Sequence, residues 1–492
     1  MLNTNNNNQN KHKLITIFKI NTFMKKRSAF EPYSHLIRKY NLARLFILNV
    51  VFLMCINFSA FGAAISFSGV SGANWKDASN WSSGALPTAD DDVSITGKTV
   101  NVLSGDNVVA GSITLSNSGE SSVGTLTIQK GGKLTVSSTT ISLSIQGGII
   151  NNAGTISVIA KSGQNTALLW MRNTSGSSTK TPSTFNNTGT LILDASAGGV
   201  NAICIALTQG DAGVQATFST GGTINLIPNN ISSAFVIDVT SRDALITGTG
   251  TISAGTANTP LIATFIRILS ASKSPNTATR SLTIDKNVIL NYIGSGYAFM
   301  NYTANDGVNT STVINKGTIN LSGTSNYPIF MTAQGTDASS SVTFDNRGTI
   351  NANGAPASSN SGAITFNSSG NSIFLNSGGI NFNPTSNGAF INTTSNGANV
   401  SITNTGIISV GSAIALTNAI ILGDSKTSLT NTGTISINSG NIKGISGTGK
   451  AIFNNNTKGV LNLSNSTAVT KLTSNASLVF NNNGGTINPG MK

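Results

Sequence analysis

Apolar and polar residues alternate along most of the chain in short runs, the period of a β-strand with one buried face. Thr155-Ile156-Ser157-Val158 and Thr318-Ile319-Asn320-Leu321 show the pattern. Ile, Leu, Val and Phe take the inward positions. Thr, Ser and Asn take the outward ones. Between the runs stand Asn and Gly, not the 3.6-residue periodicity of helices.

One motif recurs: Asn, a spacer, Gly, then Thr-Ile. It appears at Asn152–Ile156, Asn187–Leu191, Asn315–Ile319, Asn346–Ile350, Asn404–Ile408, Asn431–Ile435 and Asn483–Ile487, with looser copies around Gly222, Gly250, Gly379 and Gly459. From Gly348 the glycines follow at 31, 27, 27, 26 and 26 residues, whereas Gly154 to Gly189 is 35. A period this short suits one turn of a solenoid and cannot hold a sandwich domain of roughly 100 residues. A second strand falls midway between copies, as in Ala234-Phe235-Val236-Ile237 and Ala263-Thr264-Phe265-Ile266. The fold expected is an all-β, right-handed parallel β-helix of about a dozen turns with an N-terminal β cap, roughly 60 Å long at about 4.8 Å per turn. Glycine after Asn tolerates positive φ, so each corner is expected to turn on that conformation.

Three segments are predicted. Residues 1–62 read as a secretory signal with an extended basic region: Lys25, Lys26, Arg27, Arg38, Lys39 and Arg44, the apolar run Leu45 to Phe61, then small residues. Met24 would give a more ordinary start. Residues 63–138 form a Trp-containing β cap, and 139–492 hold the repeats. The chain stops just after a repeat copy, and no capping helix is expected there, which leaves open a truncation, a covering partner or a self-protecting last turn.

Composition narrows the function. Charged residues are 9% of 492, and the 52 glycines and few aromatics favour turns and strands. Nine of the 29 basic residues precede Gly62 with one acid, Glu31, leaving 20 against 15, a net of +5. No basic stripe with interleaved aromatics is present, so nucleic acid is not an expected partner. The membrane is expected to be met only through the signal. After the signal only Cys204 remains, in an apolar run, and it reads as a small buried hydrophobe. Both histidines, His12 and His35, would be lost with the signal, which removes nucleophile–His and His-metal chemistry and argues against an enzyme.

At Asn74-Trp75, Asn80-Trp81, Gly84-Ala85-Leu86-Pro87 and Asp92-Val93-Ser94-Ile95 the chain resembles the opening segments of large secreted Bacteroidota β-helix proteins. More loosely it resembles the eight-glycine extracellular domain, within the broader company of pectin-lyase-like and autotransporter-passenger-like surface proteins. The resemblance covers about 75 residues and implies a cap without catalytic groups. The C-terminal sorting domain of that secretion class is not visible.

The function expected is a secreted or cell-surface structural and adhesive protein that binds glycans or other surfaces, on the outer-membrane exterior. A carbohydrate-active β-helix enzyme, lyase or hydrolase, is the alternative. Its candidate residues are Asp238, Arg242 and Arg267, since aligned second strands put Asp238 and Arg267 in one column a turn apart; a surface ion pair is the plainer reading. A column of turn residues, Asp211, Asp243, Asp306, Asp337 and Asp424, would bind calcium if it bound any cofactor, as would Asp90-Asp91-Asp92; Asp is also an ordinary turn residue. The outward column Thr155, Thr190, Thr223, Thr251, Thr318, Thr349, Thr434 and Thr486 suggests, more remotely, ice binding.

Overall fold

The computed structural model describes residues 62–492, apart from residues 120–121, 139–140, 164–165, 173–180, 209–213, 272–276, 304–307, 324–327, 334–338, 354–361, 367–369, 384, 386, 394–398, 412–415, 424–425, 446–448, 465, 474 and 490–492. These residues form a parallel β-solenoid, and every pairing between named strands is parallel to the turn before and after. Between the first turn and the last, each turn contributes a strand to a first sheet of 14 strands, then to a second of 15, then to a third. The third is in two parts of five and nine strands, split between Thr223–Ile227 and Thr251–Ala254. The same first and second sheets run through both sides of residue 138.

Alternation works as the sequence pattern requires. Thr155–Ala160 and Val308–Asn315 bury every second residue. Like residues then stack from turn to turn: Phe185 faces Phe218 with ring centroids 5.5 Å apart, and Phe344 faces Phe374 at 5.8 Å. A single turn could not exclude water from such a core; its neighbours above and below do. Cys204 is fully buried there, and burial pushes its thiol up to about 12.

The corner between the second and third sheets departs from expectation in its physics. Gly154, Gly189, Gly222, Gly317, Gly348, Gly406 and Gly433 are not in the positive-φ region. What requires glycine is the corner below. A Cβ on Gly348 would lie 2.1 Å from the Gly317 carbonyl oxygen, and one on Gly406 would lie 2.1 Å from that of Gly378. The corner residue of the intermediate turn is therefore Gly378, not Gly379, whose Cβ would meet nothing within 4 Å. The steps there become 348→378, or 30, and 378→406, or 28.

The Asn of the motif points inward and is buried from Asn315 through Asn431, whereas Asn483 of the last copy is exposed. The Asn315 side-chain amide donates to the Asn346 carbonyl oxygen at 2.7 Å, Asn346 to Asn376 at 2.7 Å, Asn376 to Asn404 at 2.7 Å, Asn404 to Asn431 at 2.8 Å and Asn431 to Asn455 at 2.8 Å. This ladder gives each buried amide a donor and an acceptor one turn apart, which satisfies groups that would otherwise be costly to bury.

Both ends carry special structure. At the start, Trp75 and Trp81 pack edge-on at 4.8 Å, and the Trp81 indole N–H donates to the Trp75 carbonyl at 2.8 Å. Phe67 meets Trp81 at 5.3 Å, closing the first turn. Near the other end the expected absence of a helix is corrected. Helix Ser466–Thr473 packs against Asn441–Gly444, the last strand of the first sheet, with Ala468 and Leu472 buried. It stands where the next strand of that sheet would lie. Its apolar residues are few, which is why a run of Ser, Thr and Asn hid it.

Candidate functional site: an outward rank on the first sheet

Pairing register fixes one outward rank along the first sheet. Trp170 pairs with Ala206, Ala206 with Asp238, Asp238 with Arg267, Arg267 with Met300, and Met300 with Phe330. Five steps at about 4.8 Å make this run roughly 24 Å long.

Asp238 and Arg267 meet as the alignment of the second strands expected. The Arg267 Nε and one terminal nitrogen donate to the two Asp238 carboxylate oxygens, each at 2.8 Å. The Asp238 side chain is 9% exposed and that of Arg267 22%. The Arg267 guanidinium carbon also sits 3.8 Å from the Phe235 ring centroid. A fork-to-fork pair stacked on an aromatic ring is rigid. Both carboxylate oxygens are engaged, so the pair is built to hold shape and charge rather than to carry a mobile proton. Arg242 does not join it. It follows the strand Phe235–Val239, is exposed, and lies beside Arg280 in the next turn.

The aromatic members of the surface escaped the sequence reading. Trp170 is half-buried, with its indole N–H on the Thr208 hydroxyl and the Arg172 guanidinium 4.4 Å from its ring. Tyr297 and Phe330 stack at 5.1 Å, also half-buried. The offset from the small residue that opens each strand varies: three residues from Ala167 to Trp170, four from Ala234 to Asp238, two from Pro328 to Phe330. Alignment on that residue therefore scatters a rank that pairing brings together.

The acidic candidates among the described residues are each engaged otherwise. Among the described residues no group of three or more His, Cys, Asp or Glu could hold a metal. Asp243 accepts from the Gln215 side chain at 3.2 Å; Asp211, Asp306, Asp337 and Asp424 lie outside the described residues. In the triplet, Asp90 pairs with Lys161 at 3.1 Å and Asp92 accepts from the Ser112 hydroxyl at 2.5 Å. Asp91 accepts from the backbone of Ala63 and from the backbone and hydroxyl of Thr88. The outward Thr column exists, but Ile289, Gly379, Ile407 and Val460 occupy its positions in four turns. Neighbouring Asn residues bond to one another beside it, as in Asn320 to Asn291 and Asn351 to Asn320 at 2.8 Å.

Comparison with known proteins adds no relative: no family model, no curated protein and no solved structure matches the chain.

Proposed function

We propose that this chain is an exported structural or adhesive protein of the cell surface, and that it holds glycan chains along the outward rank of its first sheet. The observation that carries this reading is the half-buried aromatic series, Trp170, Phe235 and Tyr297–Phe330, interleaved with a locked ion pair. Aromatic faces with a polar handle suit the apolar faces and hydroxyl edges of sugars. Weak contacts spread over several turns let a long chain gain through multiplicity what a single site lacks. Export rests on the basic, apolar and small-residue order of residues 1–62, and kinship with Bacteroidota-type, pectin-lyase-like surface proteins rests on the Trp-containing cap segment alone. The non-catalytic reading rests on the engagement of both Asp238 oxygens and on a chain without histidine after the signal.

Binding of the whole exported chain to a glycan panel tests it, with Trp170→Ala and Phe330→Ala as variants. Retention on at least one glycan, weakened about fivefold by either variant, is the expected result, since each lost stack is worth on the order of 1 kcal/mol. No retention by the unaltered chain overturns the reading. Turnover of a bound glycan that disappears in Asp238→Ala replaces it with the enzyme.

A further inference from the structure

Arg242 and Arg280 lie one turn apart and are held side by side by the backbone. Ala244 pairs with Leu282 in the second sheet, so the residues two before each are neighbours. Ser281 fixes the approach: its amide donates to the Ser241 carbonyl at 3.2 Å and its hydroxyl to the Arg242 carbonyl at 2.8 Å. Neither guanidinium has an ion-pair partner among the described residues, whose pairs are those of Lys161, Arg267 and Arg347. Arg280 is half-buried; it donates one bond, to the Thr279 carbonyl at 2.9 Å, and its Nε is buried without a partner. Asp243, the carboxylate next in sequence, is taken by Gln215.

Two adjacent cations, one partly stripped of water, cost folding energy that nothing among the described residues offsets. Burial first, and Arg242 second, hold the Arg280 guanidinium below its ordinary value. Guanidinium forks are matched by the oxygens of carboxylates and of sulfate or phosphate groups. The pair sits where the strand that carries Asp238 hands over to the second sheet, at the edge of the proposed glycan surface.

We propose that Arg242 and Arg280 form an oxyanion-binding site, which takes a carboxylate or sulfate ester of an acidic glycan lying on the first sheet. The source of the anion rests on the glycan reading above; the site itself does not. One oxyanion between the two side chains accepts from the terminal nitrogens of both forks.

The test uses the whole exported chain, with Arg242→Gln, Arg280→Gln and, as a basic control, Lys316→Gln. Thermal melting is followed with millimolar inorganic sulfate against sodium chloride at matched ionic strength. Binding to polygalacturonate, heparin and a neutral dextran is measured in parallel. Sulfate is expected to raise the melting temperature of the unaltered chain and of Lys316→Gln but not of the two Arg variants. Without sulfate Arg280→Gln is expected to melt no lower than the unaltered chain, the opposite of losing a structural arginine. One acidic glycan should bind, and each Arg variant should weaken it about tenfold or more, as expected for charge-assisted bonds. Sulfate protection that survives in both Arg variants, or is absent from the unaltered chain, overturns the site. Sulfate protection without binding of either acidic glycan keeps the oxyanion site and overturns its glycan ligand. Acidic-glycan binding that the Arg variants leave unchanged keeps the glycan reading and overturns the site.

Discussion

The corners between the second and third sheets come in two kinds. From Asn315 to Asn431 every corner carries the buried asparagine, each bonds to the next, and the third sheet beside them is continuous. Earlier the ladder runs only from Asn152 to Asn187 and then lapses. Thr220 takes the place opposite Asn187, Gly248 stands opposite Thr220 at φ +101°, and Ile284 pairs with Asn315. The third sheet breaks at this place, between Thr223–Ile227 and Thr251–Ala254. At that one corner the hydrogen bonding differs as well. A laddered amide bonds forward to its neighbour and also to a backbone carbonyl that opens a third-sheet strand, as Asn376 does to Ile407 at 3.2 Å. The ladder thus fixes where the next strand starts. A threonine hydroxyl is shorter: that of Thr220 reaches only the Thr247 carbonyl, at 2.9 Å, on the near side of the corner.

The largest expected effect lies in the intact ladder. Asn376→Ala removes the acceptor of Asn346 and the donor to Asn404 together, leaving the Asn346 amide only long bonds to the Gly348 and Gly379 carbonyls at 3.4 Å and the Asn404 oxygen without its donor. At about 1–3 kcal/mol for each, roughly 3 kcal/mol of stability should go. Thr220→Val, at the broken corner, loses a single hydroxyl bond and should cost about 1 kcal/mol. Urea unfolding of the two variants gives the comparison. Equal costs would mean that the ladder is ornament and the sheet break has another origin.

Next in size is a pair of adjacent glycines. At Gly406 an added methyl meets the Gly378 carbonyl at 2.1 Å, and neither backbone can yield without shifting the stack. Gly406→Ala should cost roughly 1–3 kcal/mol, the range for overpacking a tight interior. At Gly379 the space is open and φ is ordinary, so Gly379→Thr should be neutral or slightly stabilising, since glycine in a strand is unfavourable. Melting temperatures of both variants decide. A harmless Gly406→Ala would show that the corners are looser than their spacing implies.

These two cases also mark what the sequence could carry. Period, alternation and the Asn-x-Gly step were legible because each turn repeats them and each has a local cause. The reason for the glycine was not: a close approach to the previous turn is a long-range contact, and a local rule about φ reads it wrongly. Asp238 and Arg267 were found because both lie four residues beyond a small residue, while Trp170 and Phe330 share their rank at other offsets. Arg280 was missed because its neighbour in space, Arg242, is a full turn away along the chain and only the pairing of Ala244 with Leu282 sets them together.

The smallest effect separates the ends of the solenoid by charge. Asp91 sits in the first turns. Burial pushes its carboxyl up, but the hydrogen bonds from the Thr88 hydroxyl and backbone and from Ala63 outweigh that and hold it below the usual carboxylate range. Bonds from Ser79 hold Asp77 low, and bonds from the Lys286 amide and the Thr247 hydroxyl hold Asp285 low. A carboxyl depressed in the folded state adds stability above its unfolded value of about 4, and that stability is lost as pH falls through the lower folded value. After Asp345 the sequence contains one carboxylate side chain, Asp424. Below about pH 4 the cap around Trp75 and Trp81 should therefore loosen while the laddered turns hold. Hydrogen exchange at pH 3 and pH 7, corrected for intrinsic rates, reads this segment by segment. Asp91→Asn should already loosen the cap at neutral pH, because its amide nitrogen cannot accept from Thr88, and should flatten the remaining acid response there. Uniform loosening along the whole solenoid would instead place the acid-sensitive groups among the late corners, where the ladder offers only amides that do not titrate.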